Sequence, residues 1–170
     1  PAGGLAGLAL AARGFSCAIV DAGDPQEMRA AAFDGRTSAI SYASARVFRR
    51  LGLWDAIAPE AEAIRDILVT DGRATSRFGA GTVSSFHLHF DSRELEGVPL
   101  GWIVENRVIR DVLFDAIEAA EGVTLFAPAT RAATKFNAGE AVVALADGRR
   151  LSAALIIAAD GRRSPLRAEA

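Results

Sequence analysis

The chain has 170 residues, 19 basic against 21 acidic side chains and a formal net charge of −2. That length supports one sizeable hydrophobic core and the start of a second, and the charge balance gives no sign of a nucleic-acid partner. No segment is long and apolar enough to cross a membrane, and the single cysteine, Cys17, excludes an internal disulfide and fits a reducing cytosol.

The first predicted elements are a helix of small residues and a strand. The helix covers Gly3–Arg13 and is ended by Gly14, and the strand covers Phe15–Asp21. A polar loop with the breakers Gly23-Asp24-Pro25 and Asp34-Gly35 follows. Because the chain opens on Pro1-Ala2-Gly3, which looks like the middle of a motif, we expect the natural N-terminus to lie upstream.

The middle of the chain predicts a helix and then a β insertion. Apolar residues recur at helical spacing, with arginines on the other face: Ile40, Ala43, Val47 and Leu51 against Arg46, Arg49 and Arg50. These arginines are interpreted as a solvated face, and Trp54 and Trp102 as core anchors rather than ring-stacking groups. Strands are predicted over Ile64–Thr70 and Phe86–Phe90. Phe86, Leu88 and Phe90 share one face of the second strand.

The last third predicts a helix, a β meander and a buried strand. Asn106 is the predicted N-cap of the helix, Gly122 stops it, and its buried stripe is Ile109, Val112, Leu113, Ala116, Ile117 and Ala120. Short strands follow over Val123–Phe126, Ala129–Phe136 and Ala141–Ala146, and Asp147-Gly148 marks a tight turn. The apolar run Leu155–Ala159 predicts a strand buried on both faces, parallel to Cys17–Val20 in one sheet. The fold class is therefore α/β with an antiparallel insertion.

The spacing of Gly3 and Asp21 is typical of a dinucleotide site. Such sites need a glycine turn, a helix whose N-terminus faces a pyrophosphate, and an acidic residue about 20 positions later for a ribose. Asp21 follows Gly3 by 18 positions, and Gly14 lies where the chain reverses. The alternative is a generic helix–strand unit in which Asp21 is only a loop residue.

Asp160 and Gly161 form a second candidate element. They directly follow the predicted strand, and ligands of open α/β sheets bind beyond the carboxyl ends of strands. A carboxylate there can accept hydrogen bonds from sugar hydroxyls, while the glycine lets the backbone pass close. We therefore expect Asp160 near the start of the Gly3 helix. The alternative is a common Asp-Gly turn with solvated arginines.

Taken together, these segments resemble the ubiquinone-biosynthesis hydroxylases, a family of FAD-dependent aromatic monooxygenases. The resemblance rests on four segments in the family's order. They are Pro1-Ala2-Gly3 with Ile19-Val20-Asp21, Asp34–Ser41 with Leu51-Gly52-Leu53-Trp54, Gly101–Arg107, and Ala159–Ser164. The first is similar to the tail of the Gly-x-Gly-Pro-Ala-Gly motif, the third to the family's Val-Glu-Asn-Arg segment, and the last to the Asp-Gly motif of flavoprotein aromatic hydroxylases.

The resemblance implies an FAD-binding Rossmann-like domain of the p-hydroxybenzoate hydroxylase type, present incompletely. It implies FAD as cofactor, NAD(P)H as reductant, and O₂ and an aromatic ring, prenylated in some substrates, as co-substrates. Gly3 would face the pyrophosphate and Asp21 the ribose. Arg36 and Arg107 would lie along FAD, and Asp160 with Gly161 would serve FAD and also NAD(P)H. The opening Gly-x-Gly and the later Gly-Asp motif are absent, and Asp21 stands where the family usually has Glu.

The expected organisation is a cofactor domain in two parts with an insertion between them. Residues 1–61 form the first part, 62–97 the β insertion toward the substrate domain, and 98–170 the second part. We expect a cytoplasmic protein, with peripheral association with a membrane or a biosynthetic complex left open. His87, His89 and Asp91 lie on one strand face but lack an evident fourth ligand, so no metal site is predicted. No catalytic residue is named, because the cofactor carries the difficult step. The alternatives are another flavoprotein oxidoreductase, a small-phenol hydroxylase, and an inactive truncated fragment.

Overall fold

The computed structural model describes residues 1–30, 35–70 and 87–169 and has an α/β architecture. Its α-helices are α1 (Ala2–Ala11), α2 (Pro25–Ala30), α3 (Tyr42–Arg50), α4 (Trp54–Ile57), α5 (Asn106–Ala119) and α6 (Pro165–Glu169). Its strands are β1 (Cys17–Val20), β2 (Thr37–Ser41), β3 (Ala61–Ile64), β4 (Asp66–Thr70), β5 (His87–Asp91), β6 (Gly101–Glu105), β7 (Val123–Phe126), β8 (Arg131–Asn137), β9 (Glu140–Leu145) and β10 (Arg150–Ala153). Short 3-10 helices cover Ala58–Glu60 and Ser92–Leu95.

The strands pair in four groups. β1 and β7 are parallel, with Cys17 opposite Val123 and Val20 opposite Phe126. The other groups are antiparallel, in the orders β2-β6-β3, β10-β9-β8 and β4-β5. The segment between β1 and β7 makes up most of the chain, because two parallel strands must be joined by a long crossover connection.

Helix α1 packs on the parallel pair through its small residues. A Cβ on Gly7 would lie 2.8 Å from the Ile19 Cδ1 atom, and one on Gly4 would lie 3.1 Å from the Ile117 Cδ1 atom of α5. A side chain at Gly7 would force Ile19 to move, and one at Gly4 would require the Ile117 side chain to give way by a few tenths of an ångström, so these glycines favour close packing of α1. The predicted helix and strand at this end of the chain are confirmed, each slightly shorter than expected.

The main core lies between α1, α3, α4, α5 and the β2-β6 pair. Its buried members are Leu8, Ile40, Ala45, Phe48, Trp54, Ile57, Val104, Ile109, Leu113 and Ile117. The predicted stripe of α5 is confirmed: Ile109, Leu113 and Ile117 are buried, and the others pack against the core. Phe114 is also buried on this helix, under the guanidinium of Arg29 at 5.3 Å from its ring centroid.

The predicted buried face of α3 was wrong. Ala45 and Phe48 are buried, whereas Ala43 is exposed and Val47 is 40% exposed. The error arose because Ile40 belongs to strand β2 and not to the helix. Counting helical spacing from a strand residue placed the stripe on the wrong side of the helix.

Strands β2 and β6 were missed in the sequence. They pair antiparallel from Thr37 opposite Glu105 to Ser41 opposite Gly101. Asn106 is the first residue of α5 and not its N-cap, which is Glu105. The Asn106 side chain instead accepts a hydrogen bond from the Ser38 hydroxyl at 2.6 Å, so it ties the start of α5 to β2.

The strand predicted over Leu155–Ala159 was also wrong. The segment belongs to no strand, and Leu155 and Ile157 are 71% and 51% exposed. An apolar run favours burial, but a strand also needs a neighbour whose N–H and C=O groups are free to pair. Among the described residues, β1 pairs only with β7. A parallel pairing of Leu155–Ala159 within the sheet of β1 is therefore not present.

Strands β4 and β5 form a two-stranded ribbon with one apolar face. Ile67 lies opposite Phe90, and Val69 opposite Leu88. These four side chains are 40–55% exposed. The structure thus divides the predicted strand Ile64–Thr70 into the end of β3 and the whole of β4. The predicted contribution of Phe86 lies outside the described residues.

The predicted meander is confirmed in β8, β9 and β10. Gly139 and Gly148 adopt positive φ values of 78° and 91°, which the tight turns between these strands require. The meander ends shortly before Asp160, whose surroundings belong to the candidate site.

Candidate functional site

The start of α1 lies at the carboxyl ends of the parallel strands. Gly7 packs on Ile19, near the end of β1, and Ala11 packs on Gly122, just before β7 begins. Helix α1 therefore runs antiparallel to β1 and β7. Its first turn and Asp21, the residue after β1, lie at the same edge of the sheet, as the sequence spacing predicted.

No acidic side chain or side-chain cap in the first turn of α1 offsets the partial positive charge at the helix N-terminus. Its first turn contains no acidic residue, and its N-cap, Pro1, makes no side-chain capping hydrogen bond. The first N–H groups of a helix have no partners within the helix, and the helix dipole places partial positive charge there. Such an end suits the oxygens of a phosphate or diphosphate.

Gly3 and the segment before Asp160 meet at this end of α1. A Cβ on Gly3 would lie 3.2 Å from the Ala159 Cβ, which is tighter than an ordinary van der Waals contact. A side chain at Gly3 would therefore push residues 159–161 away from the helix. The expected closeness of Asp160 to the start of the Gly3 helix is thus seen, although the strand expected to deliver it is absent.

Asp21 is held in place by its own loop and is exposed on one side. Its Oδ1 atom accepts a hydrogen bond from the Gly23 N–H at 2.9 Å. Its backbone N–H donates to Phe126 at 3.1 Å, and its carbonyl accepts from Ala129 at 2.7 Å. One carboxylate oxygen fixes the turn, and the other is available to accept from hydroxyl groups.

Asp160 organises the loop that follows it. Its hydrogen bond with the Ser164 side chain is the main cause that holds its pKa below the ordinary value, and the Leu166 N–H approaches its Oδ2 atom at 3.5 Å. Gly161 adopts a positive φ of 86°, and its carbonyl accepts from the buried Ser164 N–H at 3.2 Å. Asp160 is thus ionised and exposed, and it stabilises the turn that leads into α6.

Arg131 lies near Asp160 and close in sequence to the backbone partner of Asp21. It lies two residues after Ala129, the partner of Asp21, and its charge helps to lower the pKa of Asp160. Its guanidinium is held by Glu169 of α6 through two hydrogen bonds of 2.7 Å. Asp21 and Asp160 therefore lie around the start of β8, at one edge of the molecule.

Arg36 and Arg107 form a second group at the start of α5. The Arg36 carbonyl accepts a hydrogen bond from the Asn106 N–H at 3.1 Å, so the two arginines flank the same junction. The Arg107 guanidinium donates to Glu105, and this bond raises its pKa. Arg107 remains 45% exposed at its side chain. Both arginines are exposed cations at a helix start.

The structure therefore places the six predicted residues in two groups. Gly3, Asp21, Asp160 and Gly161 lie at the carboxyl edge of β1 and β7, and Arg36 with Arg107 lies at the N-terminus of α5. The groups are linked by α5, since Gly4 packs near Leu113 and Ile117, which follow Arg107 by six and ten residues. These separations are about 9 and 15 Å along the helix axis, which an extended dinucleotide can span.

Sequence reasoning did not identify several supporting residues. Gly4 and Gly7 bring α1 against its neighbours, and Ser164 hydrogen-bonds Asp160. The glycine spacing in Gly3-Gly4 and Gly7 was a readable signal for close helix packing. Nothing in the sequence, apart from the spacing of four residues, indicated that Ser164 hydrogen-bonds Asp160.

Neither a metal site nor a membrane-spanning helix is seen in the part of the chain that the structure describes. No group of three or more His, Cys, Asp or Glu side chains there could hold a metal ion. His89 Nε2 instead contacts Asp66 Oδ1 at 3.0 Å across the ribbon. None of the helices in these ranges is long and apolar enough to cross a membrane.

The donor set fits a dinucleotide. A bare helix N-terminus with glycines suits a diphosphate, the Asp21 carboxylate suits the hydroxyls of a ribose, and exposed guanidinium groups suit phosphate oxygens. A Cβ at Gly3 would lie 3.2 Å from the Ala159 Cβ at this edge.

Comparison with known proteins agrees with this geometry. The FAD binding domain family matches residues 1–170. The chain is 37% identical over 168 residues to a ubiquinone hydroxylase of Rhodospirillum rubrum, covering 99% of this chain and 37% of that protein. It is 33% identical over 166 residues to the 3-demethoxyubiquinol 3-hydroxylase of Escherichia coli, covering 97% of this chain and 40% of that protein. The chain thus spans about two fifths of the length of these relatives.

The fold is also found in a solved structure. The p-nitrophenol 4-monooxygenase of Pseudomonas putida superposes with a TM-score of 0.73 at 19% identity, over 98% of this chain and 40% of that one. At this identity the likeness concerns the α/β fold alone.

Proposed function

The chain belongs to the FAD binding domain family, and from this premise we propose that the whole protein is an FAD-dependent monooxygenase that hydroxylates an aromatic ring of a ubiquinone precursor. The substrate class follows from the names of the relatives, a ubiquinone hydroxylase and a 3-demethoxyubiquinol hydroxylase. The observation that carries the proposal is that Gly3, which packs on Ala159 just before Asp160, lies at the same sheet edge as Asp21.

Each residue of that edge has a proposed role in binding FAD. The N–H groups at the start of α1 bind the diphosphate, and Gly3 keeps the approach open. Asp21 accepts from the ribose hydroxyls with the carboxylate oxygen that its loop leaves available. Arg36 and Arg107 bind along the phosphates, and Asp160 fixes the loop that brings the Gly161 backbone to the cofactor.

The chemistry is supplied by the cofactor when it is bound, since FAD takes electrons from a reductant and activates O₂. The residues of this chain bind and orient the cofactor, and no side chain here is assigned to the transfer of oxygen. NAD(P)H is the proposed reductant, and an aromatic, in some cases prenylated, ring with O₂ completes the reaction.

The division of the chain stays a prediction that fits this role. Residues 1–61 and 98–170 would form the cofactor domain, and residues 62–97 would contribute the ribbon β4-β5 to the substrate domain. The exposed apolar face of that ribbon supports a place beside a hydrophobic substrate. Peripheral association with a membrane or with other enzymes of the same biosynthesis is proposed on the apolar nature of such substrates.

The test uses the protein expressed from its entire coding sequence. We expect it to copurify with FAD, and to consume NADH or NADPH faster when a ubiquinone-precursor phenol is added. Mass spectrometry with ¹⁸O₂ should show one labelled oxygen in the product ring. A flavoprotein that reduces its flavin but never labels a ring would be another oxidoreductase, and labelling of simple phenols alone would make it a small-phenol hydroxylase. A protein that takes up no flavin would contradict the proposal.

A further inference from the structure

We propose that a pocket of about 550 Å³ beside α3 binds a planar aromatic carboxylate at a site separate from the FAD site. The pocket lies between the outer face of α3 and the loop after the 3-10 helix Ser92–Leu95. Its volume is within the range of small-molecule sites, which run from about 300 to 1,000 Å³.

One wall of the pocket is made of aromatic rings. Tyr42 and Trp102 stack with ring centroids 6.2 Å apart and an interplanar angle of 23°. Trp54, which is buried, meets Trp102 edge-on at 4.8 Å. The ring of Trp102 is thus fixed from two sides. A fixed aromatic wall favours a flat ligand, because stacking on it needs no reordering of the rings.

The charges of the pocket favour an anion. Arg46 and Arg49 both line it, and neither forms an ion pair with a described residue. The Arg49 guanidinium lies 4.7 Å from the Trp54 ring centroid and 4.9 Å from that of Trp102, so it is committed to the rings. This corrects the interpretation of Arg49 as part of a purely solvated face. Arg46 keeps its planar donors for a carboxylate, whose geometry they match.

The remaining lining sets the position of the carboxylate. Val98 and Pro99 add apolar surface, and Glu96 brings one negative charge. Glu96 would repel an anion placed on its side. A carboxylate therefore fits at Arg46, on α3, with the aromatic body between Trp102 and the apolar loop.

The pocket is distinct from the group of Arg36 and Arg107 because it lies at the other end of the β2-β6 pair. Thr37 pairs with Glu105 at the end next to Arg36 and Arg107, whereas Ser41 pairs with Gly101 at the end next to Tyr42 and Trp102. Four strand steps separate the two ends, about 13 Å. A ligand here would occupy a second site.

The chain carries its own reporter, since Trp54 and Trp102 are its two tryptophans. We would titrate the whole protein with 2-naphthoate and follow the indole N–H signal of Trp102 by NMR, assigning it with Trp102→Phe. The expected result is a saturable shift of the Trp102 signal with a dissociation constant of about 1 mM or tighter. The neutral 2-naphthamide and the non-aromatic cyclohexanecarboxylate should each bind at least about tenfold more weakly, because each lacks one of the two recognised features.

Arg46→Gln should weaken 2-naphthoate binding by about tenfold or more, and Arg46→Lys should restore part of it. Arg150→Gln, which removes an exposed arginine from β10, is the matched control and should change nothing. A thermal melt of each variant shows that the fold is retained. Absence of a Trp102 shift, equal binding of the amide, or full affinity in Arg46→Gln would each overturn the proposal. These signals need no flavin, so the outcome is independent of the proposed hydroxylase activity.

Discussion

The sheet edge that carries Gly3, Asp21 and Asp160, which we call the cofactor edge, and the β4-β5 ribbon differ in how closely their apolar residues are packed. Around α1, β1 and α5 the packing is so close that a Cβ on Gly7 would lie 2.8 Å from the Ile19 Cδ1 atom and one on Gly4 would lie 3.1 Å from the Ile117 Cδ1 atom. In the ribbon, Ile67, Val69, Leu88 and Phe90 share one face and are 40–55% exposed.

Helices α1 and α5 contribute buried residues to the main core, where they pack with α3, α4 and the β2-β6 pair. No residue of the β4-β5 ribbon is buried. A two-stranded ribbon is marginally stable by itself, and an uncovered apolar face of this kind marks a contact surface. We therefore expect the first region to respond strongly to changes in packing and the second to respond weakly.

The largest expected effect separates the two regions directly. Leu113→Ala removes a side chain that is 3% exposed in the core of α5, and it should lower the free energy of unfolding by about 2–5 kcal/mol. Leu88→Ala in the ribbon should change it by about 0.5 kcal/mol or less. Urea denaturation followed by circular dichroism measures both. Equal losses at the two sites would show that the ribbon face is covered after all.

A second variant tests the closeness of α1 and β1. Gly7→Leu places a side chain where even a Cβ would lie 2.8 Å from Ile19, so overpacking should cost about 1–3 kcal/mol of stability. Ala43→Leu, on the exposed side of α3, is the matched control, with a change within about 0.5 kcal/mol. If Gly7→Leu is as stable as the parent, the helix does not lie as close to β1 as described.

The smallest expected effect concerns the ribbon's own electrostatics. The side chain of Arg93 is the main cause that lowers the pKa of Asp91 from 3.8 to about 2, and the Arg93 backbone N–H contributes next. Because the folded-state pKa is depressed, this pair stabilises the fold above about pH 4, and the stabilisation is lost as the pH falls toward 2. Arg93→Gln should raise the pKa of Asp91 part of the way to 3.8, since the backbone hydrogen bond remains.

An NMR titration of the Asp91 carboxyl carbon measures this shift. The control is Arg149→Gln, which should raise the depressed pKa of Asp147 in the same way and leave Asp91 unchanged. An Asp91 pKa that stays near 2 in Arg93→Gln would mean that the guanidinium is not the cause.

The sequence predicted the fold best where periodicity and packing agreed. The stripe of α5 and the helix–strand order at the start follow from residues that are buried within the chain. The pairing of β2 with β6 was missed because Thr37–Ser41 is short and rich in small polar residues, so its alternation is weak. Leu155–Ala159 was assigned as a strand because an apolar run indicates burial but does not identify a pairing partner.

The sequence predicted that Gly3 and Asp21 share one sheet edge, but it did not predict the contacts around the candidate site. The spacing of Gly3 and Asp21 follows from the chemistry of a dinucleotide, and the structure places both at one edge. The hydrogen bond between Ser164 and Asp160, and the position of Arg131 near Asp160, depend on loop conformations that no periodicity describes. The stacking of Arg49 on two tryptophans joins three separate elements and likewise has no local signal.

The most direct test of the central claim, that FAD binds across the edge of Gly3, Asp21 and Asp160, is the dissociation constant of FAD measured by flavin fluorescence in the whole protein. Asp21→Ala removes a carboxylate hydrogen bond to the ribose and should weaken binding about tenfold or more, with Asp55→Ala, an exposed acidic residue of α4, as the control. Unchanged affinity in Asp21→Ala, or equal weakening in both variants, would contradict the claim.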